Sequence, residues 1–432
     1  MRSSRRRWLV VAVLALVDPV LAGAQATDCS TLGQNSYVRA ALREYYYWYQ
    51  QLPDPDPSQF DSPEAYLEAV RFRPLDESFS YISTEAASDA FFSESQYVGF
   101  GFRNKLVASG DLRIAEAFPD TPATAAGLDR NQQIVEIDGQ RVADLEAAGQ
   151  LDNAFGPATV GHTVRLRLRN PDGAEREVTM AKAMVTIPTV AVTRTFDADG
   201  RRVGYVLFHN FVQPSNAALD AAFTQLGREG AQDLVLDLRY NGGGLVSVAQ
   251  HLADLIGGMR TNGLLMARYI HNDRQSARNS SLFFSDAPAA LSTMRLIVIT
   301  TRASASASEL VINALKPYMP VVTVGDNTYG KPVGQYGFRF CGKIAWPVAF
   351  SIRNAADQGD YFGGFPPDCA APDDLDHPLG DPGEGSLGEA LHYAMTGACS
   401  AGARGVSASR ATRRALVQPH ERNGFRRLVG AY

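Results

Sequence analysis

Apolar positions recur along this chain with two periods, and the change of period divides it. In Val164-Arg-Leu-Arg-Leu-Arg169 every second residue is apolar, the pattern of a half-buried strand. From Val203 onward, unbroken apolar runs alternate with helical spacing. Val203–Phe208, Leu234–Leu238, Leu296–Ile299 and Pro320–Val324 predict buried strands. Between them, Leu219, Ala222, Phe223 and Leu226 predict a helix over 217–226. Leu245, Val248, Leu252, Leu255 and Ile256 predict another over 245–256, and a third is expected over 309–316. Strand and helix in alternation predict an α/β core over residues 186–400. Phe338–Ile352 reads as two more strands and Leu387–Met395 as a short helix.

Residues 27–91 read as a small helical N-terminal domain. Ser36–Leu52 is helical and rich in Tyr and Trp, read as packing residues, and the Pro-Asp run Pro53–Pro57 ends it. A second helix is expected over Ser62–Arg71. Ahead of all this, residues 1–26 read as a secretory signal. Arg2, Arg5, Arg6 and Arg7 precede the apolar stretch Trp8–Val17, and Ala24-Gln25-Ala26 fits a cleavage site. That stretch is too short to span a bilayer, and no later segment is long enough, so the expected product is exported to the periplasm or beyond.

Export changes the reading of the four cysteines, Cys29, Cys341, Cys369 and Cys399. An even count in an exported chain predicts two disulfides. Three pairings are possible and the sequence does not choose; our expectation is Cys341–Cys369 with Cys29–Cys399. No cysteine or histidine spacing predicts a metal site. The Asp-, Gly- and Pro-rich stretch 357–384 reads as a solvated acidic loop, since its spacing fits no calcium loop. Residues 401–432 hold seven Arg and one Glu, and residues 1–26 four Arg and one Asp. With −5 for the whole chain, the body 27–400 carries −14, which argues against a nucleic-acid partner. The basic tail 401–432 is expected to be disordered.

Candidate chemistry concentrates in residues 296–335. Ser306-Ala-Ser-Glu309 is a capping box, which by itself marks only a helix start. A serine there also lies beside free backbone N–H groups at the positive end of the helix dipole, where an oxyanion is stabilised. Such a nucleophile needs a base. Lysine is scarce, with five residues in 432, and one of them, Lys331, sits in a Gly turn after the Pro320–Val324 run. A lysine amine is a base at neutral pH only once its ordinary value of about 10.4 is lowered. Gly242-Gly243-Gly244 after Leu234–Leu238 can serve phosphate or an oxyanion. The absence of GxxxxGK[ST] and GxGxxG argues against a nucleotide. Neither a G-x-S-x-G elbow nor H-E-x-x-H is present, and the seven histidines are scattered.

Two blocks, Thr301-Arg-Ala-Ser-Ala-Ser-Ala-Ser-Glu309 and Val324-Gly-Asp-Asn-Thr-Tyr-Gly-Lys-Pro-Val-Gly-Gln335, resemble the carboxy-terminal processing (tail-specific) serine proteases of the S41 type. The resemblance implies a crotonase-like ββα arrangement in the core. It implies Ser306 as nucleophile, Lys331 as general base, Gln335 orienting the lysine, and Glu309 in support. The Asp237-Leu-Arg-Tyr-Asn-Gly-Gly-Gly244 loop matches the family's oxyanion loop, so Gly244 and Ala307 would give the two N–H groups. One departure is Pro332, where the family usually has Gly. Residues 92–185 resemble a PDZ domain, with Val98-Gly99-Phe100-Gly101-Phe102 in the place of its carboxylate-binding loop. Gly99, Phe100, Gly101 and Phe102 would then hold the free C-terminus of a protein or peptide substrate. The implied function is an exported endopeptidase without cofactor that cuts proteins near their C-termini. The rival reading is a degenerate relative that binds C-terminal peptides without cutting.

Overall fold

The apolar runs become neighbouring strands of one sheet because each must bury both faces. A computed structural model describes residues 28–107, 109–403 and 425–432. The expected signal segment, 1–26, lies outside the described residues. Six strands form the central sheet, in the order Val190–Ala198, Arg201–Phe208, Asp233–Asp237, Leu296–Thr300, Val321–Gly325 and Cys369–Ala370. The first pair is antiparallel and the rest are parallel. Alternate residues of each run face opposite layers. Leu234, Leu236, Leu296 and Val298 pack against helices Ser215–Arg228, Val246–Gly257 and Ala307–Leu315. Val235, Ile297 and Ile299 pack on the other face, against Leu387, Ala390 and Ala394 of helix Gly385–Thr396. The expected α/β core is therefore present, as a sheet between two helical layers.

Residues 96–186 fold mostly as an antiparallel sheet with its own core. Its main path runs through Phe102–Leu106, Leu112–Ala117, Gln133–Ile137, Thr163–Arg169 and Glu175–Ala181. Val164, Leu166 and Leu168 point inward onto Phe100, Phe102, Ile114 and Phe155, as the two-residue period requires.

Several expectations need correction. The first helix, Thr31–Tyr45, stops before Pro53 is reached. Tyr46 is fully buried, its hydroxyl donating to Asp76 and accepting from the Phe72 amide, and the Tyr47 amide donates to the Val348 carbonyl. These tertiary bonds pull the backbone out of the helix. The N-terminal segment is also not purely helical. Its strand Tyr81–Thr84 pairs with Lys343–Trp346, and Val38, Leu42 and Leu67 share a core with Val333, Phe340 and Val348. Residues 338–352 form three strands rather than two, Phe338–Phe340, Lys343–Trp346 and Val348–Arg353.

The disulfides are Cys29–Cys341 and Cys369–Cys399, which overturns the expected pairing. Cys341 lies in the turn between two strands of the N-terminal sheet, beside the start of the first helix, so Cys29 is its neighbour. Cys369 is on the outermost strand of the central sheet, under the segment that follows helix Gly385–Thr396. The tail is not wholly irregular: Phe425–Val429 is helical and residues through Tyr432 pack on the body, while 404–424 lie outside the described residues. No helix among the described residues is long and apolar enough to cross a membrane.

The acidic stretch is also not simply solvated. The Asp373 and Glu384 side chains are 4% and 0% exposed. Arg239, itself fully buried, bonds Asp237, Asp373 and Glu384 together. Burial alone would raise the Asp373 carboxyl. Lys105, Arg239 and Arg130 outweigh burial and hold it well below the usual carboxylate range. A depressed carboxylate stabilises the fold above its unfolded value, about 3.9, and loses that contribution as pH falls toward its folded value. Asp373→Asn is expected to lower the unfolding free energy at pH 7 by about 3 kcal/mol, since it leaves buried cations undercompensated. Denaturant titrations across pH should show the gap to the parent chain closing as pH drops below about 4.

Candidate active site

The three serines of the Ser304-Ala-Ser-Ala-Ser308 run have different partners. Ser304 and Ser308 are fully buried, and their hydroxyls donate to the Leu238 and Asn241 carbonyls, at 2.8 and 3.0 Å. Both therefore fasten this run to the loop that leaves the Asp233–Asp237 strand. Ser306, between them, is half-buried and faces a cavity of about 160 Å³. Its backbone has φ 55° and ψ −110°, a conformation that non-glycine residues rarely adopt. Holding it there costs of order 1–3 kcal/mol. Ala307 begins the helix, so its amide is one of those the helix leaves without an acceptor.

Glu309 fixes that distorted turn. Its fully buried carboxylate accepts from the Ser306 amide at 2.9 Å, which is the Glu309 half of the predicted capping box. It also accepts from the Thr328 hydroxyl and from the amides of Gly330 and Lys331, at 2.6, 2.7 and 2.8 Å. Burial pushes the Glu309 carboxyl up, and these four donors oppose the shift. One side chain thus ties the serine to the lysine turn.

Lys331 faces the same cavity. Its Nζ donates to Gln335 Oε1 at 2.5 Å and lies 5.8 Å from the Phe79 ring centre. The Gln335 amide nitrogen donates to the carbonyls of Phe79 and Trp346, which fixes its oxygen toward the lysine. Gly244 completes the cavity's edge. Gly243 has φ 100°, and a Cβ there would come within 2.9 Å of Ser306 Cβ. A Cβ on Gly244 (φ 142°) would come within 2.1 Å of the Phe211 carbonyl. Both glycines are needed for backbone to pass this close.

The structure therefore brings Ser306, Ala307, Lys331, Gln335 and Gly244 to one cavity, with Glu309 behind it. Gly99, Phe100, Gly101 and Phe102 lie elsewhere, at the edge of the 96–186 sheet. The two regions are joined by Arg103, whose buried guanidinium donates to the Tyr240 carbonyl at 3.0 Å, in the glycine loop. Sequence patterns did not single out Thr328, Ser304, Ser308, Asn241 or the Phe79 and Trp346 carbonyls. The serines were visible within the run itself. Phe79 is far away in sequence, and a backbone carbonyl leaves no residue-type signal.

Comparison with known proteins gives a consistent result. A model of peptidase family S41 matches residues 202–368, and one of the peptidase S41 N-terminal domain matches 33–81, together half of the chain. A carboxyl-terminal-processing protease of Picosynechococcus sp. (strain PCC 7002) is 30% identical over 51% of this chain and 50% of its own length. A chloroplastic C-terminal processing peptidase of Tetradesmus obliquus is 31% identical over 51% of this chain and 48% of its own. The chain thus spans about half the length of the curated relatives it matches. A solved structure from Bacteroides fragilis NCTC 9343 described as an S41 protease is 27% identical, covers 84% of this chain and 97% of its own, and superposes with TM-score 0.67. The photosystem II D1 C-terminal processing protease shares the fold, at 23% identity and TM-score 0.50.

Glu309→Gln would set an NH2 group against buried N–H donors. It is expected to destabilise the chain by about 3 kcal/mol, the scale of breaking a buried hydrogen-bond network. Chemical denaturation at pH 7 measures it.

Proposed function

Since the chain belongs to peptidase family S41, we propose that it is an exported serine endopeptidase working through a Ser306–Lys331 dyad. The observation that carries this reading is the division of labour among the serines. Two are committed to backbone carbonyls, and the third is held in a strained turn on the cavity that also holds Lys331. Ser306 Oγ bonds to the scissile carbonyl carbon while its proton passes to the neutral Lys331 amine. The Gly244 and Ala307 amides receive the resulting oxyanion. Collapse expels the leaving amine, which takes the proton from Lys331. Water, deprotonated by the same lysine, then hydrolyses the acyl-enzyme. Gln335 and Glu309 act as positioning residues.

In this reading the core is crotonase-like and the 96–186 sheet is a PDZ-like module. Gly99, Phe100, Gly101 and Phe102 hold the substrate's tail by adding it as a strand. Substrates are proteins cut near their C-termini. The relatives named as carboxyl-terminal-processing proteases support that class. The two disulfides support an oxidising compartment.

Cleavage of an unstructured protein tests the dyad. Ser306→Ala and Lys331→Ala should each lower the rate by about 10³-fold or more while thermal unfolding is retained. Lys331→Arg should fail equally, because a guanidinium does not deprotonate in proteins. Cleavage that survives Lys331→Arg would remove lysine from the mechanism. A parent chain that binds peptides and cuts none would be a scaffold instead.

A further inference from the structure

The groove at Gly99–Phe102 is already filled by the chain itself. The Gly101 and Phe102 amides donate to the Tyr432 main-chain oxygen at 2.8 and 3.2 Å, and the Tyr97 hydroxyl donates to the same oxygen at 2.9 Å. In return the Tyr432 amide donates to the Phe102 carbonyl at 2.8 Å. This is the hydrogen-bond pattern of a peptide added beside a strand. Gly99 makes room for it, since a Cβ there would fall 2.8 Å from the Tyr432 carbonyl carbon.

The Tyr432 side chain is held as specifically as its backbone. Its ring centre lies 4.1 Å from that of Phe155 and 6.1 Å from that of Phe102, and its hydroxyl donates to the Asp152 carboxylate. Upstream, the Phe425–Val429 helix buries Val429 among Phe91, Tyr97, Phe118 and Val212. Leu428, four residues before Tyr432, lines the cavity that holds Ser306 and Lys331. One short segment therefore reaches from the tail groove to the candidate catalytic cavity.

We propose that this groove is a receptor for a tyrosine on an added strand, and that the chain's own 425–432 segment is its resident ligand, which a substrate tail must displace. The Asp152 carboxylate and the Phe155 ring set the preference. Phenylalanine fills the ring site but gives Asp152 no donor, and an aliphatic residue fills neither. The occupancy itself stands on the contacts above. Only the competition with substrate rests on the peptidase reading.

The test uses a fluorescent peptide Phe-Arg-Arg-Leu-Val-Gly-Ala-Tyr, read by anisotropy. Three proteins are compared: the full chain, a chain ending at residue 424, and full-length Tyr432→Ala. The last keeps the helix in place should the shortened chain fold poorly. Both variants should bind the peptide at least about 10-fold more tightly than the full chain. The same peptide ending in Phe should bind the Tyr432→Ala chain about 10-fold more weakly, and Asp152→Asn combined with Tyr432→Ala should narrow that gap. In cleavage assays KM for an unstructured substrate should fall several-fold in the same variants. Equal peptide affinity in the full chain and in Tyr432→Ala would overturn the proposal. Tighter peptide binding in variants that never cleave would uphold it and count against the peptidase reading instead.

Discussion

A single buried carboxylate, that of Glu309, holds together the two loops on which the site is built. The Ser306 turn is unfavourable by itself, and the Gly330–Lys331 turn presents two inward amides with no strand to pair with. Each loop leaves donors that burial would make costly, and one acceptor satisfies both. The serine backbone is thereby locked at positive φ, and the lysine turn is set against it. Arg and Lys, the usual partners of a buried carboxylate, are replaced here by amides and one hydroxyl.

Behind the glycine loop a different device operates. Asp237, Arg239, Asp373 and Glu384 form a buried ionic cluster, which Lys105 and Arg130 extend from the 96–186 sheet. Burying charges is expensive, and a cluster of this kind returns little net stability compared with an apolar core. What it does give is direction. Tyr240 has φ 66° and its hydroxyl bonds Asp373 at 2.6 Å, so the turn leading into Gly242–Gly244 is held at Tyr240. Glu384 meanwhile accepts from the Ser386 and Leu387 amides and starts the Gly385–Thr396 helix. The stretch that supplies Asp373 and Glu384 is thus part of the glycine loop's support.

The elements legible in the sequence were those whose cause is local or periodic. Leu234–Leu238 and Leu296–Ile299 read as strands because two-sided burial demands an unbroken apolar run. Ser306 and Glu309 read as a helix start because capping acts over three residues. What stayed hidden depends on distance. The pairing of Cys29 with Cys341 follows from a sheet that joins residues 81–84 to 343–346, a contact with no local pattern. The early end of the first helix follows from Tyr46 meeting Asp76 and Phe72. Asp373 and Glu384 looked solvated because composition does not report that Arg239 faces them. The tail looked disordered because its charge outweighs a short apolar stretch, and what holds that stretch is the groove and the Phe91–Val212 cluster.

Pro332, the departure from the resembled pattern, makes physical sense once these bonds are in place. Glu309 needs the amides of residues 330 and 331 and makes no use of one at 332, so proline forfeits no bond there. Its carbonyl still accepts from the Ile352 amide at 3.1 Å, and Val333–Gln335 then begins as the edge strand of its sheet, where proline at the start is tolerated. Proline also biases the residue before it toward extended backbone, and that residue is Lys331. Proline adds a covalent restriction that costs the unfolded chain entropy rather than the folded one. Proline at 332 therefore stiffens the backbone that carries the lysine.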